Sequence, residues 1–361
     1  MSIRKPKIGI IGCGGIAQQK HLPALAALSD KCELVAFCDA TEERAVKSAK
    51  QYGVPGAVVY TDFKKLLADG AIDAVHVLTP NNSHAPTTIA ALQAGKHVLV
   101  EKPMAATSAD ALAMVEAAEK AGKKLTVGYQ NRLRADSQTL KAACLSGQLG
   151  DIYFAKAHAI RRKAVPTWGV FQDKAQQGGG PLIDIGTHAL DLTLWTMDNW
   201  KPRVVTGSVY AKLTEHTEGN AWGPWDPQKY EVEDSAFGFI QMENGATVYL
   251  EASWILNIIN PREAATTLCG TKGGAEMFAG EKLVFNRAAH GALLEETISV
   301  GSGPAYFEGK SMSPADVEAR GWLASLIEDK PVLVEPRQAL VTTQILEAIY
   351  TSAKSGKAVY L

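Results

Sequence analysis

At 361 residues the chain is longer than the roughly 250–300 that a single hydrophobic core serves, so two domains are expected. Hydrophobic residues at 46%, charged residues at 21% and a mean hydropathy of -0.05 exclude a disordered or fibrous chain. A formal net charge of -1, with no long run of one sign, argues against nucleic acid or an anionic membrane as partner and points to a small molecule.

The opening MSIRKPKIGIIGCGG offers a basic stretch and then an apolar one, but the apolar run from Ile8 to Ile11 is too short for a signal-peptide core. No run approaches the roughly 18 apolar residues that a membrane helix needs. The five cysteines (Cys13, Cys32, Cys38, Cys144, Cys269) are odd in number, scattered and without a CxxC pair. That usage fits a reducing compartment, so a cytoplasmic location is expected.

Residues 1–128 read as the first domain. Strands are expected at Lys7–Gly12, Glu33–Asp39, Val58–Tyr60, Ala74–Thr79, His97–Glu101 and Leu125–Gly128, with helical stretches such as His21–Leu28 and Ala109–Ala121 between them. This alternation predicts a doubly wound α/β fold of Rossmann type, and near-continuous apolar strands such as Val98-Leu99-Val100 fit a parallel sheet buried on both faces. The first strand runs into Gly12-Cys13-Gly14-Gly15-Ile16-Ala17, a G-x-G-x-x-A pattern. Gly12 permits the tight turn, Gly14 lets backbone approach a pyrophosphate, small Ala17 lets helix and strand pack closely, and the helix N-terminus at Gly15 and Ile16 presents free N–H groups to the phosphates. Asp39 closes the second strand, 22 residues beyond Ala17. A carboxylate there accepts hydrogen bonds from ribose hydroxyls and repels a 2′-phosphate, so the expected cofactor is NAD, with Arg44 the one nearby residue that favours NADP. The alternative is that Asp39 merely closes a strand.

Three further segments bear on chemistry. Thr79-Pro80-Asn81 ends the fourth strand and Glu101-Lys102-Pro103 the fifth, both at the edge where open α/β sheets bind ligands. The third runs from Gly178-Gly179-Gly180 through Asp184, Gly186 and His188 to Asp191. In this order, the dinucleotide pattern, the E-K-P motif and the G-G-G-x-x-x-D-x-G-x-H-x-x-D segment resemble the glucose–fructose oxidoreductase / inositol dehydrogenase / rhizopine-catabolism family, Gfo/Idh/MocA.

The resemblance implies that Lys102, Asp184 and His188 are the catalytic lysine, aspartate and histidine, and that Lys102–Pro103 is a cis bond. Physical reasoning fits these roles. Asp184, His188 and Asp191 stand at i, i+4 and i+7, one face of a helix. Oxidising an alcohol requires a base for the hydroxyl proton, which suits an imidazole, and a fixed cation beside the developing alkoxide, which suits a lysine. Asp184 then orients substrate hydroxyls or His188. Without the resemblance, Lys102 reads as a surface charge, His188 as a structural residue and Asp184 as a helix N-terminal acid. His188 has no second His or Cys at ligand spacing, so no metal site is expected.

Tyr129-Gln130-Asn131-Arg132 follows the sixth strand and resembles the family's crossing between domains, where Asn131 and Arg132 either line the cofactor or substrate cleft or form a hinge. Arg161, Arg162 and Pro166-Thr167-Trp168-Gly169 are further cleft candidates. Trp168 either covers the nicotinamide, stacks on a sugar ring or belongs to the core.

Residues 129–361 read as a second, α+β domain. A helix at Ser137–Leu145 precedes longer strands at Ile152–Arg161, Val204–Leu213, Ser235–Met242, Ala246–Leu256 and Ala264–Cys269. Glu243-Asn244-Gly245 marks a hairpin, so a large, mostly antiparallel open sheet is expected, with helices at about Pro314–Asp329 and Gln338–Ser355 closing the chain. In the family one sheet face carries helices and the other often meets another subunit, which implies a homo-oligomer, dimer or tetramer. The loop 215–230 carries Trp222 and Trp225, which either stack on a sugar or aglycone or pin an interface. The function implied is hydride transfer between NAD and a secondary hydroxyl of a sugar, inositol or glycoside. Two alternatives stay open: an enzyme that retains NAD(H) and returns the hydride to a sugar, and a non-catalytic sugar or dinucleotide sensor.

Overall fold

The computed structural model describes residues 4–278, 282–298 and 312–361. These residues fall into two compact units, the first drawn from 1–130 and 312–340, the second from 131–311 and 341–361.

The first unit holds six strands: β1 (Lys7–Ile11), β2 (Glu33–Cys38), β3 (Val58–Tyr60), β4 (Ala74–Val77), β5 (His97–Val100) and β6 (Leu125–Val127). They pair in parallel in the order β3-β2-β1-β4-β5-β6. Every strand lies where the sequence pattern predicts one. The apolar runs are explained by two cores, one on each side of the sheet. Ile8, Ile10 and Phe37 face one core, while Val75, Val77, Val98 and Val100 face the other. The helix Ser108–Ala121 shows how local signals set its bounds. The Thr107 side chain accepts the Asp110 N–H at its start, and Gly122 ends it with φ 61°.

The second unit contains a sheet of nine strands: β7 (Ile152–Ile160), β8 (Pro202–Tyr210), β9 (Ser235–Met242), β10 (Thr247–Ser253), β11 (Ala265–Gly270), β12 (Gly274–Met277), β13 (Leu283–Ala289), β14 (Ala292–Ile298) and β15 (Val359–Tyr360). The order is β14-β13-β12-β11-β7-β10-β9-β8-β15, antiparallel throughout except at β7 and β10. Register runs a single buried row across seven strands: Val205, Ile240, Val248, Ala155, Leu268, Ala275 and Phe285. The helix Thr187–Met197 packs on this face at β7 and β11. The opposite face carries Thr206, Phe239, Tyr249, Lys156, Thr267 and Glu276 in matching register.

Two features differ from the sequence reading. The helix Pro314–Ile327 was expected in the second domain, yet Ala319 and Leu323 join the Ile8 and Ile10 core, so residues 312–340 return to the first unit. Its apolar stripe is legible in sequence, but the sheet that buries it is not. Strands β12, β13, β14 and the short terminal β15 were not anticipated either. Much of β13 and β14 is exposed and polar, with Asn286, Arg287, Glu295 and Glu296 breaking any apolar run. Among the described residues, no helix is long and apolar enough to cross a membrane.

Candidate active site

The order of the first sheet reverses between β1 and β4, which makes their C-terminal ends the natural ligand crevice. The chain turns there at Gly12 with φ 95°, and a Cβ on Gly12 would lie 2.5 Å from the Leu78 carbonyl oxygen. Only glycine allows that crossing. Just beyond, a Cβ on Gly14 or Gly15 would meet nothing within 4 Å, so the loop lies under open space. Ile16 is exposed and Ala17 buried, as a helix start between loop and sheet requires. Asp39 accepts the Cys13 N–H at 2.8 Å on one oxygen and the Thr41 N–H at 2.9 Å on the other, which fixes its carboxylate beside the loop. Pro80 is exposed, Asn81 half-buried, and the buried Thr79 Oγ1 has no hydrogen-bond partner among the described residues. Open space over backbone N–H groups, a fixed carboxylate at the second strand and an unsatisfied hydroxyl at the fourth fit a dinucleotide.

At the end of β5, Glu101 is buried and Lys102 half-buried, and Lys102–Pro103 is cis, as the resemblance implies. Glu101 Oε1 accepts from Lys20 Nζ at 2.7 Å and lies 2.8 Å from His21 Nε2, and Lys20 also pairs with Glu318 at 2.9 Å. Burial alone would raise the Glu101 carboxyl, but the Lys20 ammonium and the His21 ring outweigh it and hold it well below the usual carboxylate range. Glu101 therefore anchors the motif inside the fold, and the adjacent Lys102 N–H donates to its other oxygen at 3.1 Å. Donor atoms of His21, Glu101 and Glu318 lie within 4.8 Å of one another, a grouping the sequence spacing did not reveal, but the Lys20 ammonium already bonds both carboxylates. His84 was also missed. Its buried ring lies between two backbone carbonyls, Nδ1 at 2.7 Å from Pro103 and Nε2 at 2.9 Å from Thr79, tying the T-P-N and E-K-P segments together.

In the second unit the glycine run has a steric cause. A Cβ on Gly179 would strike the Tyr350 hydroxyl at 2.1 Å, and one on Gly180 the Glu233 carbonyl oxygen at 2.2 Å. Glu233, another residue the sequence did not single out, accepts the N–H groups of Gly180 and Leu182 and the Tyr350 hydroxyl at 2.8, 3.1 and 2.8 Å. The segment then forms a π-helical turn, Leu182–Gly186, ahead of the helix Thr187–Met197. Such wide turns occur often at functional sites. From Pro181 to Leu194, only Asp184 and His188 escape full burial.

Asp184 accepts the Trp254 indole N–H at 3.1 Å and has Arg161 Nη1 at 3.9 Å. Arg161 forks onto Glu263 as well, Nη2 to Oε1 at 2.6 Å. Asn131 is half-buried and Arg162 exposed. Asp191 departs from the shared-face expectation. It is buried in a bidentate pair with Arg132, at 2.8 and 2.6 Å, and the Arg132 guanidinium also lies over the Trp195 and Trp200 rings. Of the two readings open for Arg132, cleft lining or hinge, the structure shows its guanidinium paired with Asp191 inside the unit. The wide turn shifts the helical phase between Asp184 and the residues of the helix after it, which a uniform period cannot foresee. Trp168 is exposed rather than in the core.

A dinucleotide-type parallel sheet, together with a second unit that presents a carboxylate and an imidazole from one helical segment, defines a nicotinamide-dependent oxidoreductase. The chain belongs to the Gfo/Idh/MocA oxidoreductases: residues 6–129 match the model of the oxidoreductase family, NAD-binding Rossmann fold, and residues 137–276 match the GFO/IDH/MocA C-terminal domain. It is similar to D-glucoside 3-dehydrogenase of Escherichia coli (strain K12), 35% identical over 356 residues covering 98% of this chain and 97% of that one. Among solved structures it resembles aldose–aldose oxidoreductase of Caulobacter crescentus, complexed with glycerol, at 26% identity and TM-score 0.79, covering 99% and 100% of the two chains. An oxidoreductase domain protein of Kribbella flavida shares the fold at TM-score 0.86 and 24% identity over 99% of both chains.

Proposed function

We propose that this protein oxidises a secondary hydroxyl of a glycoside or related cyclic polyol with NAD. The observation that carries the reading is the pair Asp184 and His188, the two residues left partly open on a segment otherwise sunk into its unit. Full-length similarity to a D-glucoside 3-dehydrogenase supports the glycoside class. Bound NAD supplies the hydride acceptor. His188 takes the hydroxyl proton, Asp184 orients substrate hydroxyls with its carboxylate fixed by Trp254, and Lys102 supplies a cation that steadies developing negative charge on oxygen.

The test follows reduced-nicotinamide absorbance with NAD and a panel of glucosides, aldoses and inositols, checking each mixture for keto-sugar. NADH build-up is expected with a glycoside, and Lys102→Ala and His188→Ala should each cut turnover by about two orders of magnitude or more. Full activity in both variants sinks the reading. A second reading, in which the hydride returns to another sugar, is favoured by the resemblance to aldose–aldose oxidoreductase and requires keto-sugar without NADH.

We also propose a homo-oligomer that buries the open sheet face, where Phe239 is half exposed amid Tyr249 and Thr206, and a cytoplasmic location, which five unpaired cysteines suit. Light scattering should give a multiple of the 38.6 kDa chain, and Phe239→Lys should lower it.

A further inference from the structure

The loop 215–230 holds two tryptophans, and the structure gives them different work. Trp225 is buried, its indole N–H donates to the Thr214 carbonyl at 2.6 Å and its ring lies against Tyr230, so it fastens the loop from inside. Trp222 instead presents 42% of its surface, and Trp168, on a separate segment, presents 52%. Their centroids lie 4.9 Å apart with planes at 77°, so two indole walls form an open corner.

The corner is built rather than incidental. The two segments that carry it are stitched together by polar contacts. Lys163 Nζ donates to the Glu218 carbonyl at 2.9 Å, and Ala221 N–H returns a bond to the Lys163 carbonyl at 2.9 Å. Asn220 accepts the Val165 N–H at 2.8 Å while donating to the Val165 carbonyl at 3.0 Å, and Thr167 Oγ1 donates to the Trp222 carbonyl itself at 2.8 Å. Holding two large apolar rings rigid in water stabilises nothing unless something covers them, whereas a preorganised wall lowers the ordering cost of a ligand.

The position of the corner says what covers it. The Arg161 guanidinium stands over the Trp222 ring at 5.3 Å and approaches the Asp184 carboxylate at 3.9 Å. The aromatic walls are thus one side chain away from the group that orients the substrate hydroxyls. On the Trp168 side, Phe171 extends the apolar surface toward Trp254. A free inositol or aldose can lay one C–H face on an indole but turns its hydroxylated rim to the second wall; a flat aromatic group joined to the sugar stacks on one indole and meets the other with its edge.

We infer that Trp168 and Trp222 form an aglycone subsite, and that the substrate class is a glycoside whose aglycone is aromatic. The inference rests on the glycoside reading above. Stacking fixes the aglycone plane against one indole while the other closes the corner edge-on.

The experiment compares a phenyl glucoside with methyl glucoside in wild type, Trp222→Ala, Trp168→Ala and Trp225→Phe. Wild type should favour the phenyl glycoside about tenfold in kcat/KM, mainly through KM. Trp222→Ala and Trp168→Ala should each lose at least about tenfold more on the phenyl than on the methyl glycoside. Equal losses on both, or an aryl preference that survives both substitutions, overturns the subsite, as does a Trp168→Ala defect confined to the KM for NAD. Calorimetric titration of the phenyl glycoside reads the corner without turnover. If no glycoside is oxidised yet binding weakens in the two alanine variants, the subsite stands and the dehydrogenase reading falls; oxidation without a Trp-dependent aryl preference does the reverse.

Discussion

The Trp254 indole N–H donates to the Asp184 carboxylate at 3.1 Å from a ring with no solvent exposure. That bond fixes one oxygen of the carboxylate, which Arg161 approaches more loosely at 3.9 Å. Trp254→Phe keeps an aromatic ring in the site and removes the donor. Turnover should fall about tenfold or more, since a misdirected carboxylate no longer holds substrate hydroxyls in the reacting geometry. The fold should survive with a loss of roughly 1–3 kcal/mol from the smaller ring. Steady-state kinetics beside a urea titration checks both, and unchanged kcat in a folded variant removes Trp254 from the site.

Asp39 is held by the N–H groups of Cys13 and Thr41, which fix its carboxylate beside the glycine loop. Asp39→Ala should raise the KM for NAD about tenfold, because hydrogen bonds to a charged acceptor contribute roughly 1.5–3 kcal/mol. It should also narrow discrimination against NADP, whose 2′-phosphate no longer meets a negative charge. The check is the ratio of kcat/KM for the two cofactors; a ratio that does not move means that Asp39 only closes the strand.

The parallel sheet was legible because strands buried on both faces must be apolar almost without a break, and Val98-Leu99-Val100 is. The dinucleotide edge was legible for a different reason: Gly12 and Asp39 answer local demands, a turn at positive φ and a carboxylate at a strand end. Uniform helical spacing places Asp191 on the face of Asp184 and His188, while the structure buries it against Arg132. Glu233 and His84 gave no local signal, because their partners, Gly180 and Pro103, lie 53 and 19 residues away. Partnerships closed by the fold rather than by a repeat cannot be read from spacing.

Lys20 lies between Glu101 and Glu318, at 2.7 and 2.9 Å, with all three buried. Its ammonium is pushed above the usual lysine value: burial opposes the charge, but the two carboxylates prevail. The signs give a pH window. Glu101, depressed in the fold, contributes stability that is lost only as pH falls well below the usual carboxylate range. Lys20, raised in the fold, contributes stability that is lost only as pH climbs above about 10.5. Neither Lys20 nor Glu101 therefore adds slope near neutrality. Lys20→Met leaves two buried carboxylates facing each other and should cost about 3–5 kcal/mol at pH 7. It should also free the His21, Glu101 and Glu318 donors for a divalent cation, so that zinc raises the melting temperature of the variant and leaves wild type unmoved. A variant as stable as wild type would show that the buried charges are not coupled.

His84 reaches both segments that the cofactor edge depends on, the Thr79 carbonyl and the Pro103 carbonyl, from a fully enclosed position. Burial lowers the ring's affinity for a proton, while the two carbonyls, both acceptors, favour an N–H on each ring nitrogen and partly offset that. Its job is then to hold the loops together and set where Lys102, next to Pro103, presents its ammonium. His84→Ala should remove that tie, open a cavity and cost roughly 2–3 kcal/mol. Turnover measured well below the melting temperature should fall about tenfold, with the KM for sugar little changed, because the missing element is the aim of a charge rather than a substrate contact. Imidazole added to the buffer should restore part of kcat by refilling the cavity, an effect that general destabilisation would not produce. If the variant loses stability but keeps kcat, His84 packs the fold and does not position Lys102.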